Sequence, residues 1–170
     1  NFFIYQGYNV GKSLIEKNTK KIIEEIYSNA QKFNCKIFVP IDCIVSKNLI
    51  EKGKEKNINE IDNEELILDI GPKTRDDLIE KIESSKTILW NGPAGYFEND
   101  HFAEGTNLIA KKISSLTTQD KILSVVGGGD TISAINNISS ELKFTHLSTA
   151  GGAFLEFLEG KDLPGLDVLK

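Results

Sequence analysis

The sequence predicts an α/β fold, in which a parallel β-sheet lies between layers of helices. Apolar runs of strand length alternate with longer amphipathic segments, and this alternation is typical of parallel sheets. Most of the runs are nearly continuous in apolar residues, as expected for strands buried on both faces. Several runs also stop at turns rich in glycine or proline, which end regular structure.

Five apolar runs are predicted to be strands, and five segments between or after them are predicted to be helices. The predicted strands cover residues 36–42, 66–70, 87–90, 122–126 and 144–148. The predicted helices cover residues 18–33, 74–83, 105–115, 131–138 and 154–158. The highly charged stretch 47–65 has little apolar period, and we interpret it as a surface excursion.

Length and composition restrict the possible classes of function. A chain of 170 residues is expected to form one domain, and its net charge of −5 argues against general nucleic-acid binding. No stretch approaches the roughly 18–20 apolar residues of a membrane span, and residues 1–5 do not have the flanks of a signal peptide. Cys35 and Cys43 fit neither a metal-ligand spacing nor a disulfide framework. We therefore expect a cytoplasmic protein with reduced thiols, bound to neither nucleic acid nor membrane.

Arg75 is the only arginine of the sequence. Proteins that hold a carboxylate and a phosphate of one small molecule usually use several arginines, because the planar guanidinium matches both anions. Either the ligand of this chain is of another kind, or a second polypeptide segment supplies the arginines.

Glycine-containing turns follow several of the predicted strands. Parallel sheets bind ligands at the carboxyl ends of their strands, where loops and helix amino termini meet. Gly71 and the runs 91–95, 127–130 and 150–152 are therefore expected to lie along one edge of the sheet.

The run Gly127–Thr131 predicts a phosphate site. A buried strand that leads through three glycines into a helix lets the backbone approach an anion, which the free N–H groups of the helix start can bind. Asp130 would repel a bare phosphate but suits a magnesium ion beside one, and Thr131 adds a hydroxyl. The structural alternative is a tight turn with an Asp-Thr helix cap.

Two further motifs fit the same edge. Leu147–Ala153 repeats the strand, small-residue and helix pattern, and a second set of amides suits phosphoryl transfer. Its structural alternative is close packing of helix on strand. Trp90–Glu98 is a rigid, apolar loop that ends in an acid, as required for a nucleoside base and its ribose hydroxyls. Its alternative is a structural turn with a solvated glutamate.

Three other features are set aside. Gly7–Ser13 looks like a P-loop, but it has three residues between its glycines where that motif has four. His101 is expected at the surface. His146 lies in a strand of buried type, where a packing or interface role is favoured over proton transfer.

Taken together and in order, these motifs resemble phosphoglycerate kinase over essentially the whole chain. The nucleotide loop of that family resembles Ile88–Glu98 with Phe102–Thr106, its phosphate and magnesium loop resembles Gly127–Thr131, and its carboxyl-terminal signature resembles His146–Gly165. Three earlier segments also fit in order: 3–14, 39–42 and 69–74. The resemblance implies the Rossmann-like, three-layer α/β/α nucleotide domain of the family, in its carboxyl-terminal half.

The resemblance also implies an activity and a set of ligand-binding residues. Members exchange a phosphoryl group between 1,3-bisphosphoglycerate and ADP with Mg²⁺, giving 3-phosphoglycerate and ATP in glycolysis. It implies that Glu98 holds the ribose, that Gly71 lines the adenine slot and that Asp130 orients magnesium. It implies that the nucleotide loop is shaped by Asn91, Pro93 and Gly95. It implies that the phosphate oxygens are bound by Gly128, Gly129 and Thr131. The amides that meet the transferred phosphoryl group would be those of Gly151 and Gly152.

Some features depart from the family pattern. Ala150 replaces a glycine, and Ala94 and Tyr96 replace the more usual residues of the base pocket. The first strands of the domain, with a Gly-Ala-Lys loop, are not in this sequence, nor is the separate amino-terminal lobe that binds the sugar acid. We therefore expect residues 1–170 to form a partial nucleotide domain that is inactive alone, with the tail 163–170 contacting that lobe. The alternative is a non-catalytic nucleotide-binding or structural module. The whole enzyme is expected to be a monomer, and this chain either to be marginal as a monomer or to associate through an unpaired sheet edge.

Overall fold

The computed structural model describes the backbone of residues 1–168, and their side chains apart from residues 166 and 167. The helices are α1 (Phe2–Tyr5), α2 (Lys20–Lys32), α3 (Pro72–Ser84), α4 (Glu104–Thr118), α5 (Gly129–Ile138), α6 (Gly152–Leu158) and α7 (Pro164–Asp167). The strands are β1 (Asp42–Ser46), β2 (Lys54–Asn57), β3 (Leu66–Ile70), β4 (Thr87–Asn91), β5 (Leu123–Gly127) and β6 (His146–Ser148). Short 3₁₀ turns lie at Ile58–Glu60 and Asp100–Phe102.

A parallel sheet with the order β4-β5-β6 confirms the predicted α/β class. Helix α4 connects β4 to β5 and helix α5 connects β5 to β6, so two successive βαβ units form the sheet. The strand predictions at 87–90, 122–126 and 144–148 coincide with these strands to within one or two residues at each end.

Helices α3, α4 and α5 cover one face of the parallel sheet. Trp90 and Val126, from β4 and β5, point into this core. Branched side chains at spacings of three and four residues along α4 fill it from the helix side, as the amphipathic pattern predicts. The buried members of the core are Ile82, Trp90, Ile109, Ala110, Ile113, Leu116, Ile122, Val126 and Ile135.

The opposite face of the parallel sheet is only partly covered. Gly127 follows Val126 and therefore points to this second face. A Cβ atom added to Gly127 would lie 2.7 Å from the Phe154 ring, which places α6 on this face. Leu89 and Leu123, on the same face, remain 49% and 48% exposed.

A second sheet is antiparallel, with the order β2-β1-β3, whereas the sequence predicted only a parallel sheet. The run 66–70 is a strand, but it pairs antiparallel with β1, with Cys43 opposite Ile70. Apolar content alone does not specify the direction of a neighbouring strand. The excursion 47–65 contains β2, whose charged residues suit an edge strand.

The strand predicted at 36–42 is also wrong in position. The strand β1 begins at Asp42, and residues 36–40 form no ladder with any strand in the described range 1–168. A strand exists through its inter-strand hydrogen bonds, so an apolar segment without a partner remains irregular. Phe38 is 61% exposed in this segment.

The amino-terminal helices pack through aromatic rings. Tyr27 of α2 stacks on Tyr5 and meets Phe2 edge to face, with ring centroids 5.7 Å and 5.8 Å apart.

None of the helices in the described part of the chain combines the length and the apolar composition that a membrane crossing requires.

Candidate functional site

The carboxyl ends of the three parallel strands lie side by side. Asn91 of β4 pairs in register with Gly127 of β5, which pairs in register with Ser148 of β6. The loops that follow these residues therefore leave the sheet from one edge. This confirms the common edge predicted for the runs 91–95, 127–130 and 150–152.

Gly71 follows β3, which belongs to the antiparallel sheet and not to the edge formed by β4, β5 and β6. Its N–H donates to the Asp42 carbonyl oxygen over 2.9 Å, and a Cβ atom added to it would overlap the Asp42 carboxylate. A close approach to Asp42 thus accounts for the glycine. Its part in an adenine slot stays a prediction.

The glycine turn between β5 and α5 holds unpaired backbone donors. Gly128 has φ +92°, a left-handed conformation that disfavours any residue with a Cβ atom. Within residues 1–168, the N–H groups of Gly129, Asp130 and Thr131 have no hydrogen-bond acceptor, and no side chain caps this helix. Three amides and the positive end of the helix dipole are therefore available to an anion.

Asp130 and Thr131 have different environments. Asp130 is exposed in the first turn of α5. Thr131 is fully buried, and its hydroxyl oxygen accepts the Gly92 N–H over 2.7 Å. Its hydroxyl thus joins α5 to the loop after β4, and its amide is the group left for an anion.

The loop after β4 is held by hydrogen bonds at nearly every backbone N–H. Ala94 and Gly95 donate to the Thr106 hydroxyl oxygen over 3.1 and 3.2 Å. Tyr96 donates to the carbonyl oxygen of Leu68 over 2.7 Å. The Trp90 indole N–H donates to the Gly92 carbonyl oxygen over 2.8 Å. These hydrogen bonds restrain the backbone of the loop, and its rigidity stays a prediction.

Asp69 of β3 holds the start of α4, and sequence reasoning missed it. Its carboxylate is 2% exposed and accepts the N–H of Gly105 and that of Ile70, each over 2.8 Å. Burial raises the pKa of Asp69, although these hydrogen bonds and the charge of Arg75 oppose the rise. An acid within a buried apolar strand was the available signal.

The single arginine has a structural role. Arg75 is 6% exposed, its Nε donates to the Ile70 carbonyl oxygen, and its guanidinium lies 2.6 Å from the Glu104 carboxylate. It is therefore committed to joining α3 to β3 and α4. This agrees with the expectation that the chain alone cannot build an arginine-lined anion site.

Glu98 and the glycines before α6 complete the predicted set. Glu98 is exposed and forms no hydrogen bond or ion pair with a side chain of the described range. Gly151 has φ +53°, and the amides of Gly151 and Gly152 have no acceptor within residues 1–168. Pro93 is half-buried beside the held amides of the loop.

An apolar cleft of about 620 Å³ adjoins the loop after β4. Pro93, Gly95 and Tyr96 form one wall, and β3 residues Leu66–Leu68 form another. Leu14, Ile15 and Leu49 extend it. Sequence reasoning assigned only the loop to a base pocket, because the contribution of β3 depends on the antiparallel sheet.

The segment Gly7–Ser13, which looks like a P-loop in sequence, does not form one. It lies between α1 and α2 without a preceding strand. The Lys12 N–H donates to the Glu65 carbonyl oxygen over 2.7 Å, and its ammonium pairs with Glu64. The segment thus joins the amino terminus to the turn before β3.

The fold and this edge define an α/β protein in which loops and a glycine-rich helix start meet at the carboxyl ends of parallel strands, the usual ligand site of that class. The family model for phosphoglycerate kinase matches residues 1–161. This chain belongs to the phosphoglycerate kinase family.

Individual relatives agree over nearly all of the chain. Phosphoglycerate kinases of Francisella philomiragia and Zymomonas mobilis are 44% and 42% identical over 171 residues, which is 99% of this chain and 43% of each relative. The solved structure of phosphoglycerate kinase from Coxiella burnetii matches with a TM-score of 0.89 and 37% identity, over 99% of this chain and 43% of that one. The Pyrococcus horikoshii enzyme matches with a TM-score of 0.73 and 28% identity, over 99% of this chain and 42% of that one. The chain thus spans less than half the length of these relatives.

Proposed function

We propose that this chain is the nucleotide-binding part of a phosphoglycerate kinase. The whole enzyme would transfer a phosphoryl group between 1,3-bisphosphoglycerate and ADP, giving 3-phosphoglycerate and ATP in glycolysis. The observation that carries the proposal is the aligned edge Asn91, Gly127 and Ser148, with unpaired amides at the start of α5. Membership of the family supports it.

The nucleotide phosphates would bind at the start of α5. The amides of Gly129 and Thr131 are unpaired within residues 1–168, and the glycine backbone of Gly128 permits close approach. Asp130 fits a magnesium ion, which proteins commonly bind through one or two carboxylates together with substrate phosphates. No cluster of three metal-binding side chains occurs in the part of the chain that the structure describes, which is consistent with such a shared site. Bound Mg²⁺ would neutralise phosphate charge.

The nucleoside would occupy the apolar cleft beside the loop after β4. The cleft combines an apolar wall from β3 with the held loop, and ligand pockets are typically apolar with few polar groups. Asn91, Pro93 and Gly95 would shape the loop, and Glu98 would accept hydrogen bonds from the ribose hydroxyls.

The transferred phosphoryl group would meet the amides of Gly151 and Gly152. The loose transition state spreads charge over three oxygens, so positioned donors supply most of the catalysis. An ADP phosphate oxygen attacks without a general base, so His101 and His146 are not required. Arg75 is engaged by Glu104, so the arginines for the sugar acid would come from the remainder of the family's length.

Calorimetry with Mg-ADP tests the nucleotide site. We expect wild-type chain to bind, and both Asp130→Ala and Glu98→Ala to weaken binding by about tenfold, because each loses one charge-assisted contact. Glu141→Ala, an exposed acid before β6, serves as the matched control and should bind like wild type. Binding that is indifferent to Asp130 and Glu98 would contradict the assignment.

Complementation tests the kinase function. The chain alone is expected to form no ATP from 1,3-bisphosphoglycerate and ADP, and addition of a polypeptide with the remaining part of the family sequence should restore it. A folded, ADP-binding chain that no such polypeptide activates would instead be a non-catalytic nucleotide-binding module. The engagement of Arg75 within the fold is the observation that favours this second candidate.

A further inference from the structure

Two buried threonine hydroxyls hold the loop after β4, and one of them, Thr106, has so far been given no role in ligand binding. Thr131 accepts the first N–H of the loop, from Gly92, over 2.7 Å. Thr106, in the first turn of α4, accepts the next two, from Ala94 and Gly95, over 3.1 and 3.2 Å. Pro93, between them, has no N–H to donate. Consecutive amides of the loop thus depend on two side chains rather than on a backbone ladder.

The position of Thr106 is itself fixed from a third element. Ala103 is the N-cap residue of α4 and makes no side-chain capping bond. Asp69 of β3 takes that place by accepting the Gly105 N–H over 2.8 Å, one residue before Thr106. A Cβ atom on Gly95 would lie 2.5 Å from the Asp69 Oδ1, so the loop rests against the same carboxylate. Thr106 is fully buried, so its oxygen cannot exchange the loop amides for water without opening this contact.

We infer that Thr106 is a positioning residue of the nucleotide site, which fixes the shape of the loop 92–96 through the amides of Ala94 and Gly95. The inference rests on the proposed function, because the loop forms one wall of the apolar cleft. Loss of the hydroxyl leaves two partly buried donors without their acceptor, and the loop then relaxes away from the shape that receives the nucleoside. The hydroxyl acts through the loop and need not touch the nucleotide.

Three variants separate this role from a general effect on stability. Thr106→Val keeps the shape of the side chain and removes the acceptor, whereas Thr106→Ser keeps the acceptor and removes the methyl group. Thr117→Val, on the same helix, removes a hydroxyl that bonds Ile113 and Ser124 and does not contact the loop. We expect Thr106→Val to weaken Mg-ADP binding by about tenfold, and both Thr106→Ser and Thr117→Val to bind within about twofold of wild type. Wild-type affinity in Thr106→Val would overturn the inference.

Amide hydrogen exchange tests the loop without any nucleotide. In the wild-type chain the Ala94 and Gly95 amides should exchange at least about tenfold more slowly than those of Gly129 and Asp130, which have no acceptor in the described range. Equal exchange rates would overturn the inference, even if Thr106→Val failed to fold. If the protected loop is found but wild type does not bind Mg-ADP, the proposed function and the nucleotide part of the inference fail, and the role of Thr106 in holding the loop stands.

Discussion

Asp42 is a charged residue whose burial is offset by an unusually complete set of donors. Its carboxylate is fully buried and accepts the Lys73 N–H over 2.9 Å, the Thr74 N–H over 2.8 Å and the Thr74 hydroxyl over 2.5 Å. Burial alone would raise the pKa of Asp42, but these hydrogen bonds outweigh it and lower the pKa below its ordinary value. The carboxylate caps α3 from a neighbouring strand, where the helix dipole also favours a negative charge.

Replacement of Asp42 should therefore change how stability depends on pH. A carboxyl group with a lowered folded-state pKa contributes stability above its unfolded pKa of about 4, and this is lost as pH falls through the folded value. We expect Asp42→Asn to lower the free energy of unfolding by about 1–3 kcal/mol at pH 7. The deficit should shrink toward pH 3, as measured by urea unfolding at both pH values. A deficit that is independent of pH would contradict this account.

The two cysteines should differ sharply in reactivity. Cys43 is 1% exposed, and burial, with the nearby charges of Asp42 and Glu65, raises its pKa to about 11. Cys35 is exposed. Because the thiolate is the reactive species, a thiol reagent at pH 8 should modify one equivalent rapidly in the native chain and two in denaturant. Cys35→Ser should abolish the rapid phase, and rapid modification that persists in this variant would show that Cys43 is accessible.

At the scale of the element, the turn between β5 and α5 depends on one glycine more than on its neighbour. Gly128 has φ +92°, and a Cβ atom there would lie 3.0 Å from the Asn91 amide oxygen. A Cβ atom on Gly129 would meet no heavy atom within 4 Å. We expect Gly128→Ala to destabilise the chain by about 1–2 kcal/mol and Gly129→Ala to change stability by less than about 0.5 kcal/mol.

Thermal and urea unfolding of the two alanine variants provide the measurement. Since both substitutions add the same methyl group at adjacent residues, a difference between them reports conformation rather than composition. Equal effects would mean that the left-handed conformation of Gly128 is not required.

The elements that the sequence predicts well are those whose pattern is local. Apolar spacing of three and four residues locates α3, α4 and α5, and continuous apolar runs locate β3, β4 and β5. The segment 36–40 is misassigned because a strand also requires a partner, which periodicity does not reveal. The strand Lys54–Asn57 is missed because its charged residues suit an exposed edge and carry no apolar signal.

The candidate site likewise has parts that local sequence patterns predict and parts that they do not. The turns after β4, β5 and β6 could be placed on one edge because parallel strands align their carboxyl ends. The roles of Asp69 and Thr106 could not be predicted, because they depend on contacts between distant residues. Asp69 contacts a residue 36 positions away along the chain, and Thr106 contacts residues 11 and 12 positions away. The acid Asp69 in the apolar run 66–70 indicates that a hydrogen-bond donor approaches it, but not which donor.

At the scale of the whole molecule, the incompletely covered face of the parallel sheet is the main departure from a closed three-layer fold. Leu89 and Leu123 are half exposed on this face, and within residues 1–168 only β5 pairs with β4. Exposed apolar surface and unpaired strand edges both favour association. The chain also spans only 43% of its relatives' length, so other segments of those proteins have no counterpart in this structure.

We therefore expect the isolated chain to bind a hydrophobic dye and to associate as concentration rises. The double variant Leu89→Thr and Leu123→Thr should reduce both effects in dye fluorescence and sedimentation equilibrium. Ile50→Thr, at a residue between β1 and β2 that is 82% exposed, is the matched control and should change neither. Association that is unaffected by the double variant would place the contact surface elsewhere.

The tail 163–170 is predicted to contact the amino-terminal lobe, and its residues 169 and 170 lie outside the described range.

Trp90 is the only tryptophan of the sequence, and its indole N–H bonds the Gly92 carbonyl oxygen at the start of the held loop. Indole emission is sensitive to the hydrogen bonding and polarity around the ring. The chain consequently has a single indole, which reports on the point where the loop leaves the sheet. Its spectrum can follow ligand addition in real time, free of label and of any competing signal from a second indole.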